Sequence, residues 1–205
     1  NGVAAVHSKL LQTHLFKDFH QYFPNKFTNI TNGVTPRRWV VAAFPELSNL
    51  LTEFSGEEKD WLSDMTLLKE LPTQLKKTGQ IENFIKKFSE GKIEAKKRLA
   101  KVIKDQHNID VDSSFLFDVQ VKRIHEYKRQ LLNIFHWVYK YMTVKAMSDK
   151  EREQFTKRLF IMGGKAAPGY IAAKNILRLA NQIAFKINND KDVNQYLKAA
   201  FISNY

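Results

Sequence analysis

The residues best suited to chemistry lie between Val121 and Arg129, where an apolar run ends in a group of cations. This segment contains Lys122, Arg123 and Lys128, together with one histidine and one tyrosine. Arginine offers a planar fork of donors that matches a phosphate group, while lysine offers a compact point charge. These residue types at this spacing predict a binding site for an anionic ligand, although a basic surface turn without a ligand is the alternative.

The flanking residues predict that this cationic segment joins a β-strand to an α-helix. Residues Phe115 to Val121 form a nearly continuous run of strand formers, which is typical of a strand covered on both faces. The apolar residues that follow recur every three or four positions and predict one helical stripe: Leu131, Leu132, Phe135, Val138 and Met142. The cations would then lie at the carboxyl end of a strand, where open α/β sheets bind their ligands.

The pattern of strand and helix continues to the end of the sequence. A second strand is predicted at Arg158–Met162, a helix at Ala172–Ile187 and a third strand at Leu197–Ile202. Such β-α-β-α-β order implies parallel strands with right-handed crossovers. Residues 113–205 are therefore predicted to form the first half of a doubly wound, Rossmann-like sheet, and the fold class is α/β. An open half-sheet exposes an edge, so we expect marginal stability of the 205-residue chain alone.

Residues 1–112 predict a mostly helical segment. Helical periodicity is found before Pro24, over Pro45–Phe54 and from Ile81 to Ile103. Between the first two helices, Thr31–Pro36 reads as a stiffened turn, and it is followed by Arg37, Arg38 and Trp39. This stretch is either a plain loop or a loop that presents polar groups and an indole to a ligand.

A glycine-rich segment, Gly163–Gly169, lies between the second predicted strand and its helix. Small residues in such a loop let backbone amides approach a phosphate group. The segment nevertheless matches neither G-x-G-x-x-G nor a nucleotide P-loop, because Lys165 is followed by Ala166. The sequence alone does not decide whether this segment is a tight connection or a phosphate-binding loop.

Composition narrows the classes of partner. A net charge of +12 and an isoelectric point near 9.7 indicate an anionic partner, so a basic nucleic-acid-binding module is one alternative. The absence of cysteine excludes disulfides, thiol catalysis and cysteine-type zinc sites, and favours a cytoplasmic protein. His7 and His14 lack the spacing of zinc ligands, so no metal is expected. No apolar run approaches the ~20 residues of a membrane span.

Four segments resemble the glycogen (α-glucan) phosphorylases, which use pyridoxal phosphate. They occur in the family's order and at compatible spacing: Asn1–Ser8, Thr31–Trp39, Val121–Asn133 and Ile161–Tyr170. The resemblance spans the whole chain, yet the chain covers well under half of a family member. It therefore implies an internal fragment of a two-domain glycosyltransferase of the GT-B type, lacking the N-terminal domain and the C-terminal remainder. Residues 1–112 would be an inter-domain segment, residues 113–205 part of the cofactor domain, and the full-length enzyme a homodimer.

The resemblance implies a reaction for the parent enzyme. A terminal α-1,4-linked glucosyl unit of glycogen, starch or maltodextrin would be transferred to orthophosphate, giving glucose 1-phosphate with retained configuration. The cofactor phosphate would exchange a proton with the substrate phosphate, and two adjacent anions need cations beside them. The lysine that forms an imine with the cofactor would lie outside this chain, so we expect the fragment alone to be inactive. A non-catalytic fragment with an interaction role is a further alternative.

The resemblance also implies roles for individual residues. Arg123 and Lys128 would bind the substrate phosphate and the neighbouring cofactor phosphate. Asn32 and Tyr127 would contact the glucosyl unit. Further cofactor-binding positions would be Lys122, Lys128, Trp39 and Tyr205, and a phosphate-proximal loop would contain Gly163, Gly164 and Lys165.

Two more residues of the cationic segment are expected to do no chemistry. His125 and Glu126 are sequence neighbours and would point apart on a helix, which argues against an acid/base pair. We therefore expect His125 to be a buried orienting group. Arg129 is expected to face outward.

Overall fold

The structure, a computed structural model, describes residues 1–56 and 60–203. The chain divides into two compact units, Asn1–Phe84 and Ile85–Tyr205. Within the described residues, no helix is long and apolar enough to cross a membrane.

The first unit is built from short helices. They are α1 (Ala5–Leu10), continued by a π-helical turn (Leu11–Leu15), α2 (Lys17–Tyr22), α3 (Pro36–Ala43), α4 (Pro45–Ser55) and α5 (Leu71–Lys77), with 3-10 turns at Pro24–Lys26 and Met65–Glu70. Proline begins α3 and α4, because the first helical position has no need of a backbone N–H. The predicted helices before Pro24 and after Pro45 are confirmed. Helix α3, which carries Arg37, Arg38 and Trp39, and helix α5 were not predicted.

The second unit contains a parallel sheet of three strands in the order β1-β2-β3 within the described residues. The strands are β1 (Leu116–Val121), β2 (Arg158–Gly163) and β3 (Leu197–Ile202). The helices are α6 (Ile81–His107), whose first four residues belong to the first unit, α7 (Gln130–Ala146), α8 (Asp149–Glu153) and α9 (Ile171–Asn189). Helices α7 and α8 connect β1 to β2, and α9 connects β2 to β3. The predicted strand-helix alternation and the parallel pairing are confirmed.

Strand β2 is the centre of the hydrophobic core. Because successive side chains of a strand point to opposite faces, Phe160 and Met162 pack under α7 and α9, while Leu159 and Ile161 pack with Ile103 of α6. The indole of Trp137 stacks on the ring of Phe160, with centroids 5.4 Å apart. Strand β2 is therefore covered by helices on both faces.

Helix α6 explains where the second unit begins. The sequence prediction placed the boundary at 112/113, whereas the compact units divide between Phe84 and Ile85. The reason is that Leu99 and Ile103 of α6 pack against the sheet. The role of residues 1–112 as an inter-domain segment stays a prediction.

One expectation about burial was wrong, and one apolar helix face is exposed. Strand β1 is an edge strand and is not covered on both faces, since Val119 is 54% exposed. In α7 the predicted stripe around Leu132 and Phe135 is largely exposed, and the buried face carries Ile134 and Trp137 instead. Apolar residues occupy both sides of this helix, so periodicity identified the helix without identifying its buried face.

The two faces of α7 allow a matched test of this packing. We expect Trp137→Ala to lower the free energy of unfolding of the second unit, measured in the full-length protein, by about 3–5 kcal/mol, because the indole is buried against Phe160. The control Phe135→Ala, on the exposed face, should change it by about 0.5 kcal/mol or less. Urea denaturation measures both values. Equal losses in the two variants would contradict the assigned orientation of the helix.

Candidate anion-binding site

The cationic segment forms the loop between β1 and α7, and it is fixed to the loop between β2 and α9. The N–H of Lys122 donates to the carbonyl oxygen of Gly163 at 3.0 Å, and the N–H of Ile124 donates to that of Lys165 at 3.2 Å. The side chain of Ile124 is buried in the core. Both loops follow the carboxyl ends of parallel strands, which is the location that the sequence predicted.

Close approach of the two loops requires a glycine at Gly164. A Cβ atom at this position would overlap the carbonyl oxygen of Lys122 and would lie 2.9 Å from Cδ1 of Ile124. Gly163 and Gly164 are both buried. This geometry supports the tight-connection interpretation of the glycine-rich segment, while its role as a phosphate-binding loop stays a prediction.

A buried amide side chain holds the first half of the cationic loop. Gln130, the first residue of α7, is fully buried. Its Nε2 donates to the carbonyl oxygen of Arg123 at 3.0 Å, and its Oε1 accepts from the N–H of His125 at 3.4 Å. Because both polar ends of the amide are satisfied, the backbone of the loop is tied to the start of α7. No sequence signal led us to assign this role.

A second pair of amides holds the other half of the loop. Asn133 Nδ2 donates to Gln120 Oε1 at 2.8 Å, and Gln120 Nε2 donates to the carbonyl oxygen of Lys128 at 3.3 Å. Arg129 then takes a left-handed backbone conformation (φ 60°) and starts the turn into α7. The loop is therefore positioned by neutral groups, and its charged side chains are left for other contacts.

An open cavity of about 550 Å³ brings together four of the predicted site residues, Arg123, Tyr127, Lys128 and Lys165. Lys122 lies beside this cavity without lining it, and Gly163 and Gly164 also do not line it. The remaining lining residues are Ile124, His125, Ala166, Ala167 and Tyr170. Three cations that converge on one cavity can hold an anion with several negative charges.

These three cations have no carboxylate partner within the described residues. The acid of the loop, Glu126, accepts instead from the hydroxyl of Tyr170 at 2.6 Å. Elsewhere in the unit, cations such as Lys104 and Arg158 are paired with aspartates at 2.7 Å. The charge at the cavity is thus available to an external anion.

Aromatic rings form one wall of the cavity. The imidazole of His125 lies 4.5 Å from the ring of Tyr127 and 5.1 Å from that of Tyr170, measured between centroids. The expectation that His125 is buried was wrong, because the residue precedes a 3-10 turn (Glu126–Lys128) and its exposed Nδ1 accepts from the N–H of Tyr127. Tyr170 is the last residue of one of the four segments that resemble the family, but the sequence analysis assigned it no role.

Three predicted site residues remain: Asn32, Trp39 and Tyr205. Asn32 is an exposed residue of the first unit, and its N–H donates to the carbonyl oxygen of Val3 at 3.0 Å. Trp39 lies in α3 and is 59% exposed. Tyr205 lies outside the described residues. The predicted contacts of these three residues with a glucosyl unit or a cofactor stay predictions.

Comparison with known proteins identifies the family. Residues 1–205 match the family model described as carbohydrate phosphorylase. The chain belongs to the carbohydrate phosphorylase family. Over 205 residues it is 45% identical to the H isozyme of α-glucan phosphorylase from Triticum aestivum and 45% identical to glycogen phosphorylase from Pasteurella multocida. Over 219 residues it is 41% identical to glycogen phosphorylase from Saccharomyces cerevisiae. The whole chain is covered in each case.

The chain spans 24% of the length of each of these curated relatives. The family resemblance of the four short segments is confirmed, because the family model matches the whole chain.

We expect Gln130→Leu to destabilise the chain by about 1–3 kcal/mol, because it leaves the carbonyl of Arg123 and the N–H of His125 without their buried partner. Gln195→Leu, at an exposed turn position, is the control and should cost about 0.5 kcal/mol or less. Urea denaturation gives both values. Hydrogen exchange should also show faster exchange at His125 in the first variant, and unchanged exchange there would argue against the clamp.

The contact between Tyr170 and Glu126 predicts a pH effect. The hydrogen bond to the Glu126 carboxylate raises the pKa of the Tyr170 hydroxyl above its usual value near 10. The bond therefore contributes stability below pH ~10 that is lost as pH rises through the raised pKa. We expect Glu126→Gln to lower the pKa of Tyr170.

Ultraviolet absorbance titration measures this shift, with a Tyr170→Phe curve subtracted to isolate the one phenol. An identical difference curve with and without the Glu126 substitution would contradict the contact.

Proposed function

We propose that the full-length protein containing this chain catalyses phosphorolysis of α-1,4-glucan chain ends by orthophosphate, releasing glucose 1-phosphate with retained configuration. The observation that carries this proposal is the convergence of Arg123, Lys128 and Lys165 on one cavity, without carboxylate partners among the described residues. Family membership and relatives named α-glucan phosphorylase and glycogen phosphorylase support the choice of substrate. Glycogen, starch or maltodextrin would serve as the glucan.

Arg123 and Lys128 would hold the substrate phosphate and a neighbouring cofactor phosphate. Two phosphates repel each other, and cations beside them lower the free energy of bringing them together. The guanidinium of Arg123 suits a bidentate contact, whereas the ammonium of Lys128 acts as a point charge. Tyr127 is 71% exposed at the same cavity, so its hydroxyl is free to contact the glucosyl unit. Asn32 would add a second glucosyl contact.

The chemistry of the cavity fits pyridoxal phosphate as cofactor, because unpaired cations match its phosphate group. Lys122, Lys128, Trp39 and Tyr205 would hold the cofactor, and Gly163, Gly164 and Lys165 would lie near the phosphates. When bound, the cofactor supplies a phosphate that gives and takes a proton. The lysine that would form its imine belongs to a part of the protein outside this chain.

The surface of the second unit supports its placement within a larger cofactor domain. Among the described residues β1 pairs with a strand on one side only, and α7 exposes apolar side chains such as Leu132, Phe135 and Met142. We infer that further polypeptide of a GT-B enzyme covers these groups, with residues 113–205 as the first half of the sheet. Homodimerisation and a cytoplasmic location are part of the same proposal. The Arabidopsis thaliana relative is named cytosolic.

Charge-matched substitutions in the full-length protein test the proposal. We expect Arg123→Met and Lys128→Met each to lower kcat/KM for orthophosphate on the order of 100-fold, because each removes a cation from the phosphates. Arg129→Met removes the same charge one residue from Lys128 at a position that does not line the cavity, and it should stay near wild type. Initial rates of glucose 1-phosphate release measure all three. Equal losses would indicate a general charge effect and contradict the assignment.

The alternative function, a basic nucleic-acid-binding module, would show a different dependence of binding on salt. Its affinity for DNA or RNA would fall steeply with salt, and several dispersed lysines would contribute. Three cations in a single cavity favour a small anion over a long polyanion. Nucleic-acid binding together with absent phosphorolysis by the full-length protein would favour the alternative.

A further inference from the structure

A second cavity, of about 420 Å³, lies against strand β3 in the second unit. Its walls are formed by the end of α6, the turn that follows it, α9 and β3. It shares no lining residue with the cavity at the cationic loop. Lys198 is the second residue of β3 and pairs with Leu159, so this lysine lies near the amino end of its strand, whereas the cationic loop follows the carboxyl end of β1.

A lysine without a partner faces this cavity. Lys198 is partly buried and has no hydrogen-bond acceptor among the described residues. One acid, Asp110, also lines this cavity, and its carboxylate is paired with Lys104, whose Nζ lies 2.7 Å away. Burial lowers the pKa of Lys198, because the ammonium loses solvation, and the attraction of Asp110 offsets only part of this loss. An ammonium in this setting is stabilised by an anionic ligand.

A histidine adds a second unsatisfied group. His107, the last residue of α6, lines the cavity, and its Nε2 is enclosed without a hydrogen-bond partner in the described structure. Asn108 then adopts a left-handed backbone conformation (φ 54°), which turns the chain toward β3. In the tautomer with hydrogen on Nε2, His107 can donate to an oxyanion after a small ring rotation.

The cavity also has an apolar lining residue, and hydrogen bonds join the helix and the strand that line it. Phe185 lines it and is 71% exposed. Asn188 fastens α9 to β3, because its Nδ2 donates to the carbonyl oxygen of Ala199 at 2.7 Å and its Oδ1 accepts from the N–H of Ala199 at 3.0 Å. The space exceeds what one phosphate ion needs, so a ligand with a carbon body fits beside the exposed ring.

We propose that this cavity binds a phosphate monoester of a small molecule. Its phosphoryl oxygens accept from Lys198 and His107, and its carbon body lies on Phe185. The proposal is independent of the phosphorolysis proposed above, since the two cavities have no residue in common.

Protection of Lys198 from an amine-modifying reagent tests the proposal in the full-length protein. Peptide mass spectrometry measures the modification rate of Lys198 and of the exposed control Lys191. The probes are phenyl phosphate, inorganic phosphate and potassium chloride at matched ionic strength. We expect phenyl phosphate to slow modification of Lys198 several-fold and saturably, at lower concentration than inorganic phosphate, without affecting Lys191.

Variants separate the contributions. His107→Phe keeps a ring and should raise the protecting concentration about tenfold, the effect of one lost charge-assisted hydrogen bond. Phe185→Ala should remove the preference for phenyl phosphate over inorganic phosphate. Arg123→Met, in the other cavity, should leave protection unchanged.

Four results would overturn the proposal. Equal slowing by chloride would indicate charge screening, and loss of protection in Arg123→Met would place the ligand in the other cavity. Equal protection by the two phosphates would leave no role for a carbon body. An unreactive Lys198 would mean that the cavity is closed in the full-length protein.

Discussion

The close approach of the β1–α7 and β2–α9 loops at Gly164 is the constraint on which the candidate site depends. Parallel pairing of β1 and β2 brings the two loops to the same end of the sheet, but a side chain at position 164 would hold them apart. With hydrogen only at that position, Ile124 donates across the gap to Lys165, and cations from both loops reach one cavity. The convergence of these cations thus follows from a packing requirement in the backbone.

Hydrogen bonds from neutral amide side chains hold the charged loop against the packed core. Trp137 and Ile134 fix α7 on the sheet, and Gln130 at the start of that helix fixes the backbone of Arg123. Burying a satisfied amide is far less costly than burying an ion, because the charged form loses much more solvation. The core can therefore hold the loop in place while Arg123 and Lys128 keep their charges near solvent.

The sequence predicted most of this frame, and the misses have physical reasons. Strand and helix periodicities located the three strands, the helices between them and the cationic loop, because buried apolar patterns are strong signals. The buried face of α7 was missed since both of its sides are apolar, and the contact of α6 with the sheet was missed because it joins residues distant in sequence. The exposure of His125 was missed because it depends on a 3-10 turn that the sequence pattern does not predict. The role of Gln130 was missed because its burial results from the three-dimensional packing.

The cations of the cavity differ from other cations of the second unit in having no carboxylate partner among the described residues. A net charge of +12 alone is compatible with many partners. In the described part of the second unit, Lys104, Lys145 and Arg158 are each paired with aspartate, whereas the cations of the 550 Å³ cavity are not. Glu126 lies within the same loop, yet Tyr170 takes its carboxylate in a hydrogen bond. An acid that bridged to Lys128 would compete with any incoming anion, and the tyrosine contact holds the Glu126 carboxylate in another hydrogen bond.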